Sequence, residues 1–365
     1  VTTPTNLLSA PPTDEIADLS PVWLSQALQH IGAGAVTAVL PTRVGTGQMG
    51  TSWQLELTWA EPELAHAAGA PTSLVAKMAG GDPATRTLIS DGYRNEFVWY
   101  TGVSITTTIE TPHCWYATIT EDNTVFVLLL DDLSPALPGV QAQGVTIEQA
   151  HISARNLAGL HGPRWRDDSL LSVPALSLAT PEGAQFHEQI FAGAVPTFIE
   201  RFRPWISDDD IAVMNDLTLW IGEWLVAGQD RFTLIHGDYR PDNLMFFPDG
   251  TTVSTLDWQT LGLGFGGRDL GYFLATSLDS DERRTHERDI VTTYYEALKE
   301  HSVVDFSFDQ CFVDYRLGMV QGPLITILGA VYATAVPSDE SNAMFSAMIT
   351  RSCAAIREHN PQSLL

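Results

Sequence analysis

Lysine is almost missing from this chain. Of its 365 residues only Lys77 and Lys299 are lysine, and basic side chains number 19 against 44 acidic ones, a formal net charge of −25. So little positive charge argues against nucleic acid as a partner, because a phosphate backbone needs a basic footprint. It weakly favours a cationic or neutral small molecule, although an acidic surface that only keeps a protein soluble accounts for the same balance. Cysteine is scarce too. Cys114, Cys311 and Cys353 are widely spaced and odd in count, so no disulfide framework or zinc pattern fits, and a reducing, cytoplasmic setting is expected. Val1 to Pro12 lacks the basic and apolar regions of a signal peptide. Long apolar runs are missing with one exception: Leu317 to Pro337 carries no charge and is long enough to span a bilayer. Gln321, Gly322, Pro323 and Thr326 interrupt it, so a buried helix of a large lobe is the expectation and no membrane partner is implied.

Apolar residues are plentiful. A hydrophobic content of 44% with 10 Trp and 15 Phe is that of a globular protein, and the length suits two lobes. Residues 1–36 read as an N-terminal arm and a helix, with Ser20 as cap and Pro21 in the first turn. Residues 37–130 are strand-rich: Trp53 to Trp59 alternates, Leu74 to Met78 is a short apolar run, and Thr106 to Ile109, Cys114 to Ile119 and Val125 to Leu130 follow. Ala60 to Ser73 reads as a loop with a helical turn, and Tyr93 to Thr101 as a helix. Residues 131–365 are mainly helical, beginning with the Thr146-x-x-Gln149 capping box. Further helices are expected near 183–203, 208–227, 268–278, 282–301, 308–335 and 339–358. The expected fold class is α+β, a small mixed lobe joined to a larger helical one.

Within the helical half, one segment stands out. His236-Gly237-Asp238-Tyr239-Arg240-Pro241-Asp242-Asn243 is followed, fourteen positions after Asn243, by Asp257 in Leu256-Asp257-Trp258. Between them lie two strand-like runs, 244–247 and 252–256, joined by the turn signal Pro248-Asp249-Gly250. A hairpin here returns the chain to its starting point, so the Asn243 amide and the Asp257 carboxylate stand side by side. An amide and a carboxylate suit Mg²⁺, which also holds phosphates. Asp238, in the loop just before, is placed to accept a hydroxyl proton. These are the parts of a phosphoryl-transfer site.

Other residues fit around that centre. Lys77 inside an apolar strand needs a partner, and Glu96 is the natural one. A lysine there suits phosphate binding. Gly45-Thr46-Gly47-Gln48-Met49-Gly50 matches G-x-G-x-x-G, but a strand follows rather than a helix and Thr51 stands where a P-loop has Lys. It reads as a loop over nucleotide phosphates, Gly47 and Gly50 included, or as a plain hairpin turn. Asp131-Asp132-Leu133 lies where strands give way to helices, and its backbone groups could bond an adenine. His236 and His161 read as structural. Arg240 could reach a transferred phosphoryl group or pair with Asp242 or Asp269. Asp269 is expected to cap a helix and brace the catalytic loop.

His-Gly-Asp-x-x-x-x-Asn followed by Asp-Trp resembles the aminoglycoside phosphotransferase and choline kinase superfamily, from about residue 40 to the C-terminus. Leu256-Asp257-Trp258-Gln259, Arg268 to Leu274 and Tyr294 to Leu298 look like the ecdysteroid-kinase-like (CHK kinase-like) branch. The resemblance implies a protein-kinase-like two-lobe fold and ATP with Mg²⁺. It implies Asp238 as the group that orients and deprotonates the acceptor, Asn243 and Asp257 as Mg²⁺ ligands, Lys77 held by Glu96 on the α- and β-phosphates, and Asp131 and Leu133 at adenine. Two departures are visible: no Val follows the Gly-rich loop, and Asp131-Asp132-Leu133 stands where many relatives have Glu-Asp-Leu. The activity expected is transfer of a γ-phosphoryl group to a hydroxyl of a small molecule, an aminoglycoside, amino alcohol, sugar or steroid-like alcohol. A kinase-shaped protein that only binds a nucleotide or metabolite is the alternative, and a nicotinamide-dependent oxidoreductase a more distant one. Trp258, Tyr272 and Tyr315 would suit a ring-shaped acceptor, or core packing.

Overall fold

The computed structural model describes residues 10–45, 50–333 and 337–365. The chain separates into two compact units, Val1–Val103 with Pro112–Ser134, and Ser104–Thr111 with Pro135–Leu365. In the first unit, α1 (Pro21–Ala27) begins at the Ser20 cap, whose side chain accepts from the Trp23 N–H. It is followed by β1 (Val36–Val44), β2 (Gly50–Trp59), the short α2 (Pro62–Ala67), β3 (Ser73–Ala79), α3 (Pro83–Val98), β4 (Cys114–Ile119) and β5 (Phe126–Asp131). The strands form one antiparallel sheet in the order β1-β2-β3-β5-β4. Alternation decides its faces. Leu55, Leu57 and Trp59, Leu74 and Ala76, and Val127 and Leu129 turn to one side and build a core with Trp23 and Leu24 of α1. Lys77, between Ala76 and Met78, therefore faces the other side. The helix expected over 93–101 starts ten residues earlier, because Asp82 caps it through the N–H groups of Ala84 and Thr85, with Pro83 in the first turn. Most of that first half is exposed and lacks the apolar period that would reveal it.

The second unit contains β6 (Leu137–Pro138), α4 (Ile147–His161), α5 (Pro181–Phe202), α6 (Asp208–Leu217), α7 (Ile221–Leu225), β7 (Phe232–Ile235), β8 (Leu244–Phe246), β9 (Val253–Thr255), β10 (Gly262–Phe265), α8 (Gly267–Ser277), α9 (Ser280–Glu300), α10 (Phe308–Gly318), α11 (Gln321–Leu328) and α12 (Asp339–His359). Residues 106–109 are not a strand. They begin at the end of a single 3-10 turn, and their backbone is used by α4 instead, the Thr108 N–H donating to Gly159 (3.0 Å), while the carbonyl of the next residue, Glu110, accepts from Thr255 of β9 (2.8 Å). The helix expected over 208–227 breaks at 218–220, and the one over 308–335 divides into α10, α11 and a π turn, Gly329–Ala333. Pro323 falls in the first turn of α11, where its missing N–H costs no helical hydrogen bond. No helix among the described residues is long and apolar enough to cross a membrane. The small strands β7 and β10 pair antiparallel, and β6, β8 and β9 form a second small sheet.

Helix α8 is the centre of this unit, with every residue but Arg268 buried. Glycine lets α10 lie directly against it: a Cβ on Gly318 would stand 1.6 Å from the Gly267 carbonyl oxygen, and one on Gly271 would meet the Tyr315 carbonyl at 2.5 Å. Gly318→Ala therefore has no small adjustment open to it, and its urea midpoint should fall by the equivalent of about 3 kcal/mol. Gly193→Ala, inside α5 where a Cβ meets nothing within 4 Å, should instead gain up to about 1 kcal/mol from helix propensity. Equilibrium urea unfolding of both variants checks the pair.

Candidate active site

The loop after β7 is held by its backbone. Asp269, in the first turn of α8, accepts from the N–H groups of His236 (2.6 Å) and Gly237 (2.8 Å) and from His161 Nε2 (3.2 Å). It does not cap α8, whose N-cap is Gly266 with no side-chain bond. Burial works against its charge, but the His161 hydrogen bond and the loop amides win, and its carboxyl lies below the ordinary aspartate value. His161 is in turn fixed by the Tyr294 hydroxyl at Nδ1, 2.6 Å away. Gly237 has φ +81°, and a Cβ there would stand 2.6 Å from the Thr260 carbonyl oxygen, so glycine is required on both counts. Gln321 of α11 donates to the Gly237 carbonyl (2.8 Å), and Thr260 Oγ1 to that of His236 (2.7 Å).

These ties present Asp238. Its Oδ1 accepts from the Tyr272 hydroxyl at 2.7 Å, and its Oδ2 from Asn243 Nδ2 at 3.0 Å and Arg240 Nε at 3.2 Å. Arg240 also pairs with Asp242 and rests on Met344 Sδ. Of the partners open to it in sequence, it takes Asp242 and Asp238, not Asp269. Burial disfavours its charge, but the two carboxylates push its pKa above the ordinary arginine value.

The hairpin forms as expected, slightly shorter, with Leu244 opposite Thr255. One step beyond the ladder, the Leu256 N–H donates to the Asn243 carbonyl at 2.8 Å, so Asn243 and Asp257 flank the open end. Asp257 has φ +62°, a left-handed conformation that turns a non-glycine side chain at a cost of about 1 kcal/mol or more. His236 links the two halves: Nε2 donates to the Leu256 carbonyl (2.9 Å) and Nδ1 accepts from the Asp238 N–H (3.2 Å). Those bonds assign a neutral Nε2–H tautomer. The Asn243 amide nitrogen is spent on Asp238, through Oδ2 and the carbonyl at 2.9 Å. Its Oδ1 and the Asp257 carboxylate are hard oxygens of the kind that fit Mg²⁺. Among the described residues no cluster of three His, Cys, Asp or Glu groups could hold a metal ion.

In the first unit, Lys77 Nζ meets both oxygens of Glu96, at 2.8 and 2.7 Å, with the Glu96 side chain only 1% exposed. Gly50 opens β2 opposite Ala79, while Gly47 lies outside the described residues. The Asp131 N–H donates to the His113 carbonyl (3.0 Å), and its carboxylate accepts from Trp115 Nε1 (2.7 Å). Asp131 therefore has no backbone N–H to offer a base. The Leu133 N–H has no hydrogen-bond partner among the described residues. Asp132 is a structural acid that accepts from Ser73 (2.5 Å) and Gln54 (2.7 Å); burial opposes its charge, yet these bonds bring it down to about 2.

Sequence reasoning assigned no role at the loop to Gln321 or Thr260, and read Tyr272 only as a ring for the acceptor or the core. Tyr272 follows Asp269 by three places on one helix and so shares its face, a signal that is usable once that face is known to meet the loop. Trp258 and Tyr315 are core residues. Trp258 is fully buried with its ring 4.7 Å from that of His236, and Tyr315 donates to Glu287 at 2.8 Å.

The fold is that of the protein-kinase-like phosphotransferases. The solved structures of similar fold include a choline kinase from Cryptosporidium parvum (TM-score 0.57, 10% identity, 90% of this chain and 91% of that one) and a putative aminoglycoside phosphotransferase from Ralstonia eutropha (TM-score 0.51, 15% identity, 91% and 96%). More narrowly, residues 185–304 match the ecdysteroid kinase-like family, so the resemblance to the aminoglycoside phosphotransferase and choline kinase superfamily holds. Acyl-CoA dehydrogenase family member 11 of Gallus gallus is 38% identical over 76 residues, 19% of this chain and 10% of that protein. Family member 10 of Mus musculus is 37% identical over 79 residues, 21% and 7%. The chain thus matches only about a tenth of the length of these curated relatives.

Because the folded-state carboxyl of Asp269 is depressed, its contribution to stability is complete above the ordinary aspartate value and is lost as pH falls through the lower folded one. Asp269→Asn should cost about 3 kcal/mol near neutrality, and the gap to the wild type should close in acid. Urea midpoints measured from neutral pH downward test this.

Proposed function

We propose that this chain transfers the γ-phosphoryl group of ATP to a hydroxyl of a small molecule. The observation that carries the reading is the convergence on one loop of a hydrogen-bonded carboxylate, Asp238, with the two oxygen donors Asn243 and Asp257 at the foot of a hairpin. In the step itself, the acceptor oxygen forms a bond to the γ-phosphorus as its proton passes to Asp238. The bond from that phosphorus to the β–γ bridging oxygen breaks, ADP leaves, and Asp238 later gives the proton to water.

Asn243 and Asp257 would hold Mg²⁺, which neutralises phosphate charge when bound. Lys77, kept in place by Glu96, binds the α- and β-phosphates, with Gly50 beside them at the start of β2. The Asp131 carbonyl and the Leu133 N–H serve the adenine. Arg240, already committed to Asp238 and Asp242, holds Asp238 in place. Most of the acceleration then comes from positioning and charge stabilisation. Choline kinase and putative aminoglycoside phosphotransferase, the names borne by proteins of similar fold, support an amino alcohol or aminoglycoside as acceptor, and the ecdysteroid kinase-like match supports a steroid-like alcohol; a sugar completes the classes to be tried.

A nucleotide-consumption screen across those alcohol classes should find an acceptor. With it, Asp238→Asn should lower kcat by about a hundredfold or more while ATP still binds, and Asp257→Ala should weaken Mg²⁺-dependent nucleotide binding. Wild-type turnover in both variants refutes the assignment.

A further inference from the structure

A carboxylate offers about four lone-pair positions, two on each oxygen. At Asp238, Oδ2 accepts from Arg240 Nε (3.2 Å) and Asn243 Nδ2 (3.0 Å), so both of its positions are filled. Oδ1 accepts from the Tyr272 hydroxyl alone (2.7 Å). The fourth position, on Oδ1, has no donor among the described residues, and the side chain is 20% exposed. An incoming hydroxyl thus finds one place to donate, beside the phenol of Tyr272.

Tyr272 is well built to hold this arrangement. It lies on α8 three residues after Asp269, so one face of one helix grips both the backbone of the loop, through His236 and Gly237, and its reactive side chain. Its ring is fully buried. Burial, with the Asp238 carboxylate second, keeps the phenol protonated far above its ordinary value, so it remains a donor. Without it, only the contacts to Oδ2 would resist Asp238 turning about its terminal bond, whose energy well is broad.

We propose that Tyr272 is a positioning residue for the phosphoryl transfer, turning Asp238 so that Oδ1 is the atom that takes the acceptor's proton. The proposal rests on the phosphotransferase reading above. The alcohol O–H bond breaks as its proton passes to Oδ1, the oxygen keeps the electron pair for the bond to phosphorus, and the Tyr272 proton stays where it is.

Tyr272→Phe removes a single oxygen. It should lower kcat about tenfold, the worth of one hydrogen bond to a charged group, with KM for ATP unchanged. Tyr315→Phe, which also loses a buried hydroxyl bonded to a carboxylate, should change neither. In protein labelled with ¹³Cζ-tyrosine, one signal should move between wild type and Asp238→Asn, and that signal should be missing from Tyr272→Phe. The wild type and Asp238→Asn alone suffice for the outcome in which no signal moves, which overturns the assignment even where Tyr272→Phe does not fold. Active wild type with unchanged kcat in Tyr272→Phe, or no tyrosine signal responding to Asp238→Asn, overturns the Tyr272 assignment alone. A wild type that transfers no phosphoryl group to any alcohol class overturns the underlying reading and the proton's destination with it.

Discussion

The carboxylate of Asp269 on the amides of His236 and Gly237 is the interaction on which the second unit's chemistry depends. A loop that turns the Asp238 side chain outward cannot satisfy its backbone with ordinary sheet bonds. Left unpaired and buried, each N–H would cost about 1–3 kcal/mol. An ionised acid at that point satisfies two at once. It can remain ionised in the interior because those amides and His161 favour the charged form more strongly than burial opposes it. The rest follows in order. Gly237 takes its left-handed turn, His236 closes onto Leu256, and the feet of the hairpin are set beside Asp238.

Helix α8 explains why so much of this support is invisible from outside. Its glycines let α10 approach to backbone contact, and one of its faces carries both Asp269 and Tyr272 to the loop. The chain has thus placed a rigid element, rather than another loop, behind Asp238, and rigid support of that kind holds a side chain to a narrow range of positions. Buried polar contacts hold the site together on each side: a histidine tautomer fixed by two backbone groups, an amide whose nitrogen is used while its oxygen remains available, and a guanidinium shared by two acids.

The first unit shows the same economy of charge. In a chain with 19 basic side chains against 44 acidic ones, a lysine inside a sheet is conspicuous, and its bidentate contact with a buried glutamate supplies the counter-charge that burial demands. The strand alternation that sends Leu74 and Ala76 into the core sends Lys77 to the opposite face, toward the helix that carries Glu96.

Much of this was legible in the order of residues. Alternating and apolar runs marked the strands β2 to β5, the capping box marked α4, and Pro248-Asp249-Gly250 between two short runs marked the hairpin, because these are local signals carried by neighbouring residues. The pairing of Lys77 with Glu96 followed from the cost of an isolated buried charge. What stayed hidden was decided by contacts between distant parts of the chain. The 106–109 stretch looks like a strand but bonds its backbone to α4, with the neighbouring Glu110 bonded to β9, and the long apolar segment after Leu317 is cut where α11 must meet the loop through Gln321. Sequence by itself determined which residues could do chemistry and which short elements carry them, since spacing and chemical type are local properties. Only the tertiary structure decided how Asp238 is turned and that Tyr272 turns it, because a hydrogen bond across 34 residues depends on which faces the packed helices present.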